Sequence, residues 1–331
     1  MSLTRPLTLI VLLALLAIYL LRPASAPQEL RQSRLLLGTV VEIVALGSEQ
    51  ARLETAVHAA FAEIARIEAL MTPHQPQSDV SRLSAAAEAT TVAAETAEVI
   101  ALGLQVAKAS DGALDLTLGR VKALWAIESE TPRLPSSEEL ATALDGSGPD
   151  ALQLDGLTVR KAAPQLAVDL GAVAKGYAVD RAVAVLRAAG VTRASVNAGG
   201  DIYLLGDHDG RPWRIGIQHP RIKGQVTATL LVADQAVVTS GDYERFFELD
   251  GVRYHHIFDP KTGLPGGRCQ SATVVAPTAA LADALSTAVF VLGPEAGLAL
   301  VEQFPGALAL VIDAAGGRHV SPGLQERIEW P

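Results

Sequence analysis

QLAVDLGAVAKGYAVDRAVAVLRAAGVTRASVN, Gln165 to Asn197, reads as a strand–helix–strand unit. Gln165–Asp169 has strand character, Ala174–Ala189 repeats its apolar residues at helical spacing until Gly190 stops it, and Ala194–Asn197 is the next strand. Two Asp-Gly pairs flank the unit, Asp155-Gly156 and Asp250-Gly251, each between short runs of alternating character. That pattern is the strongest short-range signal for a hairpin, and hairpins impose antiparallel pairing. Further out, Leu35–Leu46 reads as a strand, and Ala51–Met71 as a long helix with Leu53, Val57, Phe61, Ile64 and Ile67 on one face. Helices are also expected at Glu95–Ser110, Glu138–Leu144, Ala279–Leu292 and Glu295–Phe304, and strands at Ala272–Ala276 and Ala307–Ile312. Hairpins mixed with packed helices make an α+β fold of mixed sheets.

The 331 residues are 49% hydrophobic with a formal charge of −9. No Lys/Arg cluster interrupts the acidic balance of the folded region, so nucleic acid is not an expected partner. Cys269 is the single cysteine, which excludes an internal disulfide and any cysteine-ligated zinc. At the N-terminus Arg5 precedes an apolar run, Leu7 to Leu21, followed by Arg22 and the small residues Ala24, Ser25 and Ala26. Residues 1–27 therefore read as a signal peptide or an uncleaved inner-membrane anchor, and residues 28–331 as one catalytic domain outside the cytoplasm. As a helix the run spans roughly 22 Å, short of a hydrocarbon core of about 30 Å. Pro27 in the first mature position disfavours cleavage.

Four segments concentrate polar groups. VDLGAVAKGYAVD, Val168–Asp180, sets a carboxylate, a glycine turn and Lys175 at a helix start, where an anionic ligand fits. The plainer reading is a turn that needs Gly171 for its backbone and Lys175 for solubility. In SVNAGGDIYLLG, Ser195–Gly206, Gly199 and Gly200 are flanked by Asn197 and Asp201; close backbone approach and a simple bulge are both open. A third cluster gathers Ser240, Tyr243, Glu244, Arg245, His255, His256, Asp259 and Thr262 around one hairpin. His256, at a strand end, has the chemistry of a base, and Asp259-Pro260 with Gly263 is also an ordinary turn signature. Finally, Asp283 and Thr287 lie four apart on an apolar helix and so share a face. Their oxygens suit a hard cation such as Mg²⁺, although Thr287 can also bond back to its own helix.

In this order the segments resemble the FAD:protein FMN transferase (ApbE) family. The matching stretches are LGTVVEI, MTPHQPQSDVSRL, DGALDLTLGRVKALW, VDLGAVAKGYAVD, VNAGGDIYLLG, TSGDYER with HIFDPKTG, and ADALSTAVFVLG, together spanning roughly Leu35 to Ile312. The resemblance implies a fold related to the tunnelling fold. It implies Mg²⁺ on the Ala172 carbonyl, Asp283 and Thr287, and FAD against Leu37, Ala113, Leu114, Asp115, Asp169, Lys175 and Ile257, with His256 as the family's histidine. His74 stands where the family commonly has an aromatic residue over the flavin, so weaker stacking is expected there. Arg120 stands where the family usually has proline.

The implied reaction places a Ser or Thr hydroxyl of an acceptor protein on the flavin-side phosphorus of FAD, with AMP leaving and His256 taking the proton. The implied acceptors are membrane redox-complex subunits with a short Ser/Thr flavinylation motif. A Mg²⁺-dependent FAD pyrophosphatase giving FMN and AMP, and an exported FAD-binding protein, are the alternatives.

Overall fold

The computed structural model describes residues 28–331. The expected export segment, residues 1–27 with its apolar run, lies outside the described residues. The described chain opens with a hairpin, β1 (Gln28–Leu36) and β2 (Thr39–Gly47), followed by α1 (Gln50–Met71), α2 (Asp79–Ala85), β3 (Thr90–Thr91), α3 (Ala94–Ala109), α4 (Gly119–Trp125) and α5 (Ser137–Leu144). The hairpin β4 (Leu152–Asp155) and β5 (Thr158–Lys161) precedes α6 (Ala174–Ala188). Then come β6 (Arg193–Ala198), β7 (Asp201–Leu205), β8 (Trp213–Gln218), β9 (Val226–Val232) and β10 (Gln235–Gly241). A further hairpin, β11 (Phe246–Leu249) and β12 (Val252–His255), leads to β13 (Cys269–Ala276), α7 (Ala279–Leu292), α8 (Pro294–Val301), β14 (Leu308–Asp313), β15 (Arg318–Val320) and β16 (Ile328–Glu329).

The main sheet has eight strands in the order β1-β2-β6-β7-β10-β13-β14-β15. Every ladder among the described residues is antiparallel, and the one parallel pairing is an isolated bridge, Leu118 with Ala167. Strand alternation divides the core in two. Ala236 and Val238 of β10 and Val274 of β13 point into the cluster shared with α1, α6 and α7. Val237 and Val275 point the other way, onto Trp213, Ile217 and Leu230 of the small sheet β16-β9-β8. With both faces covered, all eight residues of β13 are buried. A third cluster packs α4 and α5 around Trp125 and Phe258.

The α+β expectation holds, with two local corrections. Leu35–Leu46 is not one strand: Leu36 pairs with Thr39, and the two residues between them turn the chain back. Leu37 (φ 55°) and Gly38 (φ 67°) both adopt left-handed backbone there, a type I′ turn that a leucine does not advertise. Gln165–Asp169 joins no sheet. Its backbone is taken up by a neighbouring loop instead, with Asp169 N donating to Leu116 O (2.8 Å), Gly119 N to Ala167 O (3.1 Å) and Val168 N to Ser84 Oγ (3.0 Å).

Candidate active site

The polar groups collect beyond one end of the main sheet, where the Gly199–Gly200 turn, the end of β10 and the start of α6 meet α7. Asp283 is 4% exposed inside an otherwise apolar helix. Its Oδ2 accepts a hydrogen bond from Gly176 N at 3.1 Å. From the same helix Thr287 Oγ1 lies 3.4 Å from Ser240 Oγ, which is also 2.8 Å from Ser286 Oγ. Asp180, one turn along α6 from Gly176, accepts from Ala279 N (2.7 Å) and Ala280 N (2.9 Å) and so caps α7. The VDLGAVAKGYAVD segment thus joins the two helices and lines the site with the same few residues.

Asp201, beyond the two glycines, is fully buried. Lys175 Nζ stands 2.8 Å from its Oδ1, yet neither Asp201 oxygen has a well-directed hydrogen bond. The contact is close enough for an ion pair but misses hydrogen-bond direction. Burial raises the pKa of Asp201 against the pull of Lys175. Burial, reinforced by the neighbouring Asp201, raises that of Asp283 well above the usual carboxylate range. For Lys175 burial acts downward, but the two carboxylates outweigh it and the pKa is raised.

A second group lies where Leu116–Gly119 runs beside Ala167–Asp169. Asp115 Oδ1 accepts from Thr117 N (2.7 Å) and Thr117 Oγ1 (2.6 Å), while its Oδ2 is buried with no partner. Asp169 Oδ1 accepts from Gly171 N at 2.7 Å, and Lys122 Nζ lies 2.5 Å from its Oδ2. Burial pushes the Asp169 pKa up, but the Lys122 charge wins and holds it below the ordinary value. Ala113 and Leu114, in the turn after α3, are buried immediately before Asp115 in the chain.

The two adjacent histidines differ. His255 is buried, with Nε2 2.8 Å from Gly266 O and Nδ1 accepting from Ile257 N at 3.3 Å. A carbonyl only accepts, so Nε2 carries the proton, and both ring nitrogens are satisfied in the fold. His256 places only Nδ1, 3.3 Å from Arg245 O. The same reasoning puts the proton on Nδ1 and leaves the Nε2 lone pair available. Burial, then the Lys122 and Arg245 charges, depress the His256 pKa to about 3, so the ring is neutral at pH 7. Arg245 also closes the Leu37–Gly38 side: its Nη2 lies 4.0 Å from where a Gly38 side chain would begin, and its Nη1 reaches Glu128 at 2.6 Å.

The residues expected from sequence therefore fall into three neighbouring groups. Asp283 and Lys175 meet at the first turn of α6, two residues past Ala172 in the chain, with Thr287 one turn along α7; Asp115 and Asp169 share a second wall; His256 and Ile257 lie beside Arg245, which reaches the Leu37–Gly38 turn. His74 is on none of them: it is exposed in the loop after α1, with its backbone N donating to Thr72 Oγ1 at 3.3 Å. Lys122 lies in the stretch that supplies Asp115, and no sequence signal singles it out. Asp201 and Ser240 stood out in sequence only as polar neighbours of a turn and a hairpin. Two concavities of about 400 and 470 Å³ lie elsewhere, beside Arg52 and Arg193 and between α4 and α5, and contain none of these groups.

Among the described residues no three His, Cys, Asp or Glu side chains gather as a metal cage. The donors are the buried carboxyl groups of Asp283 and Asp201, the latter without a hydrogen-bond partner on either oxygen, flanked by the Ser240 and Thr287 hydroxyls. That oxygen-only set fits a hard divalent cation and is a poor match for zinc.

Against known proteins, the ApbE family model matches residues 37–312. A FAD:protein FMN transferase of Vibrio cholerae is 37% identical over 239 residues, 70% of this chain and 72% of that protein. One from Treponema pallidum is 34% identical, covering 91% of this chain and 89% of its own. Among solved structures, the ApbE protein of Thermotoga maritima superposes with a TM-score of 0.83 at 35% identity, covering 91% of this chain and 99% of that one. The flavin transferase ApbE of Vibrio cholerae superposes with a TM-score of 0.79 at 31% identity, covering 91% and 99%.

Proposed function

The chain belongs to the ApbE family, and on that premise we propose that it is a Mg²⁺-dependent FAD:protein FMN transferase acting outside the cytoplasm. It cleaves the FAD diphosphate, links FMN through a phosphoester to a Ser or Thr of an acceptor redox-complex subunit, and releases AMP. The observation that carries this reading is the buried cluster of Asp283, Asp201 and Lys175, with the neutral His256 imidazole beside Arg245, whose charge bears on both Lys175 and the imidazole. A storage protein needs no free imidazole lone pair.

Asp283, Thr287 and the Ala172 carbonyl would hold a divalent cation, which would supply charge neutralisation for the diphosphate. Lys175, on the first turn of α6, adds positive charge beside the positive helix end. Asp115 Oδ2, buried and unpaired, accepts from a ribose hydroxyl or the adenine amine of FAD. Asp169 is held ionised by Lys122 on the same wall. His256 Nε2 receives the acceptor's hydroxyl proton, while Arg245 O keeps the ring in the required tautomer. Leu37 holds a left-handed backbone that costs a leucine free energy, a feature that accords with a ligand-shaped turn.

Residues 1–27 serve as signal peptide or inner-membrane anchor, and residues 28–331 as the catalytic domain. Among the described residues no helix is long and apolar enough to cross a membrane, which leaves anchoring to Leu7–Leu21. Incubating the full chain with FAD, Mg²⁺ and an acceptor fragment tests the activity. AMP release with in-gel flavin fluorescence of the acceptor is the expected result. AMP without labelled acceptor makes the protein a pyrophosphatase, and neither product makes it a binding protein.

A further inference from the structure

Lys175 points at a carboxylate that the transfer reaction does not call for. Asp201 opens β7 and is pinned on both sides, paired with Ala198 of β6 and Val238 of β10. Its side chain is 1% exposed, and its close partner is Lys175 Nζ at 2.8 Å. Asp283 lies alongside both, tied to the next residue of α6 by its bond from Gly176 N. Two carboxyl groups therefore share one ammonium in this buried cluster. An uncompensated buried charge is costly, whereas a lysine is a flexible point charge that can serve two anions in turn.

We propose that Lys175 is the resident counter-ion of the Asp201–Asp283 pair, that Asp201 is the positioning residue that holds it there, and that Lys175 yields Asp283 to a divalent cation and turns to the flavin diphosphate. The inference rests on the reading of Asp283 as a cation ligand. It gives Lys175 two successive posts, so the ammonium meets the diphosphate only once a cation has taken its place. Before flavin arrives, the lysine competes with the cation. Asp201 opposes that competition by giving the ammonium a partner other than Asp283. With Asp201 neutralised, Lys175 pairs with Asp283 alone, and the entering cation must expel it from its only anion.

The sign of the Lys175 effect tests the idea. MgCl₂ is titrated calorimetrically into the flavin-free full chain, with free Mn²⁺ followed by electron paramagnetic resonance as a second readout. The wild type is compared with Lys175→Met, Asp201→Asn and the double variant. Removing one unit charge from the cluster should change cation affinity by about tenfold or more. Lys175→Met is expected to bind the cation tighter than wild type, Asp201→Asn weaker, and the double variant at least tenfold tighter than Asp201→Asn, about 1.4 kcal/mol. A lysine that only contacts phosphate leaves flavin-free cation binding unchanged, and a scaffold lysine weakens it when removed; either result overturns the proposal. If Lys175→Met does not fold, the double variant, with the wild-type net charge, decides: affinity no tighter than Asp201→Asn overturns it. A wild type that binds neither Mg²⁺ nor Mn²⁺ refutes the cation site itself, a result distinguishable from failure of the lysine exchange alone.

Discussion

A side chain on Gly176 would begin 2.2 Å from the carbonyl oxygen of Ala279, so α6 and α7 meet backbone to backbone at the point where they share the site. No rotamer change relieves an overlap with a carbonyl. Gly176→Ala must push the helices apart, at a cost of about 1–3 kcal/mol, and should break the bond from Gly176 N to Asp283. Denaturant unfolding should show the loss, together with weaker Mg²⁺ binding. A variant with unchanged midpoint and affinity would mean that the helices are not held this closely.

Asp283 trades stability for function. Its pKa is raised by burial and then by Asp201, so its stabilising contribution is full below the unfolded value of 3.8 and is lost as pH rises through the folded one. At pH 7 the ionised form is therefore a burden in the metal-free protein. Asp283→Asn keeps the shape without the charge. It should melt at or above the wild-type temperature at pH 7 without metal, while flavin transfer falls by about 10²-fold or more. Retained activity in EDTA would rule out the ligand role.

His256 should separate binding from chemistry. His256→Gln is expected to bind FAD like the wild type and to label acceptor about 10²- to 10⁴-fold more slowly. Full labelling by the variant would remove the imidazole from the reaction.

The same residue carries a pH signature. Its folded pKa, about 3, lies below the ordinary 6.5, so the unfolded chain binds the proton more tightly. The wild type should lose stability as pH falls from 6.5 toward 3, and His256→Gln should lose less over that window. Parallel melting curves for the two proteins across that range would contradict the buried, neutral ring.

Asp115 presents one buried oxygen with no partner. Asp115→Asn should raise the KM for FAD by about tenfold, the worth of one good hydrogen bond, with kcat little changed. An equal fall in kcat and kcat/KM would place Asp115 in the transition state instead.

Most helices and their limits were legible in sequence because apolar spacing and stop residues are local, although the helix expected over Glu295–Phe304 ends three residues early, at Val301. Ala279–Leu292 appears in the structure as expected, and Ala174–Ala189 to within one residue. The Asp250-Gly251 hairpin also forms as expected, with both residues at positive φ. The Leu37–Gly38 turn was not legible, because its left-handed leucine is imposed by strand pairing rather than preferred by the residue. Asp169 was read at the end of a strand, but hydrogen bonds to a loop some fifty residues earlier hold it in place.

Sequence alone determined the α+β class, the order of the motifs, and that Asp283 and Thr287 share a helix face, since these follow from spacing along one chain. Tertiary structure alone decided which charges meet. Asp201, Lys175 and Asp283 come from three separate elements, and a buried carboxylate's partner is set by distance through space. The two histidines make the same point: adjacent in sequence, they are told apart by whether one or both ring nitrogens find a partner once the hairpin is packed.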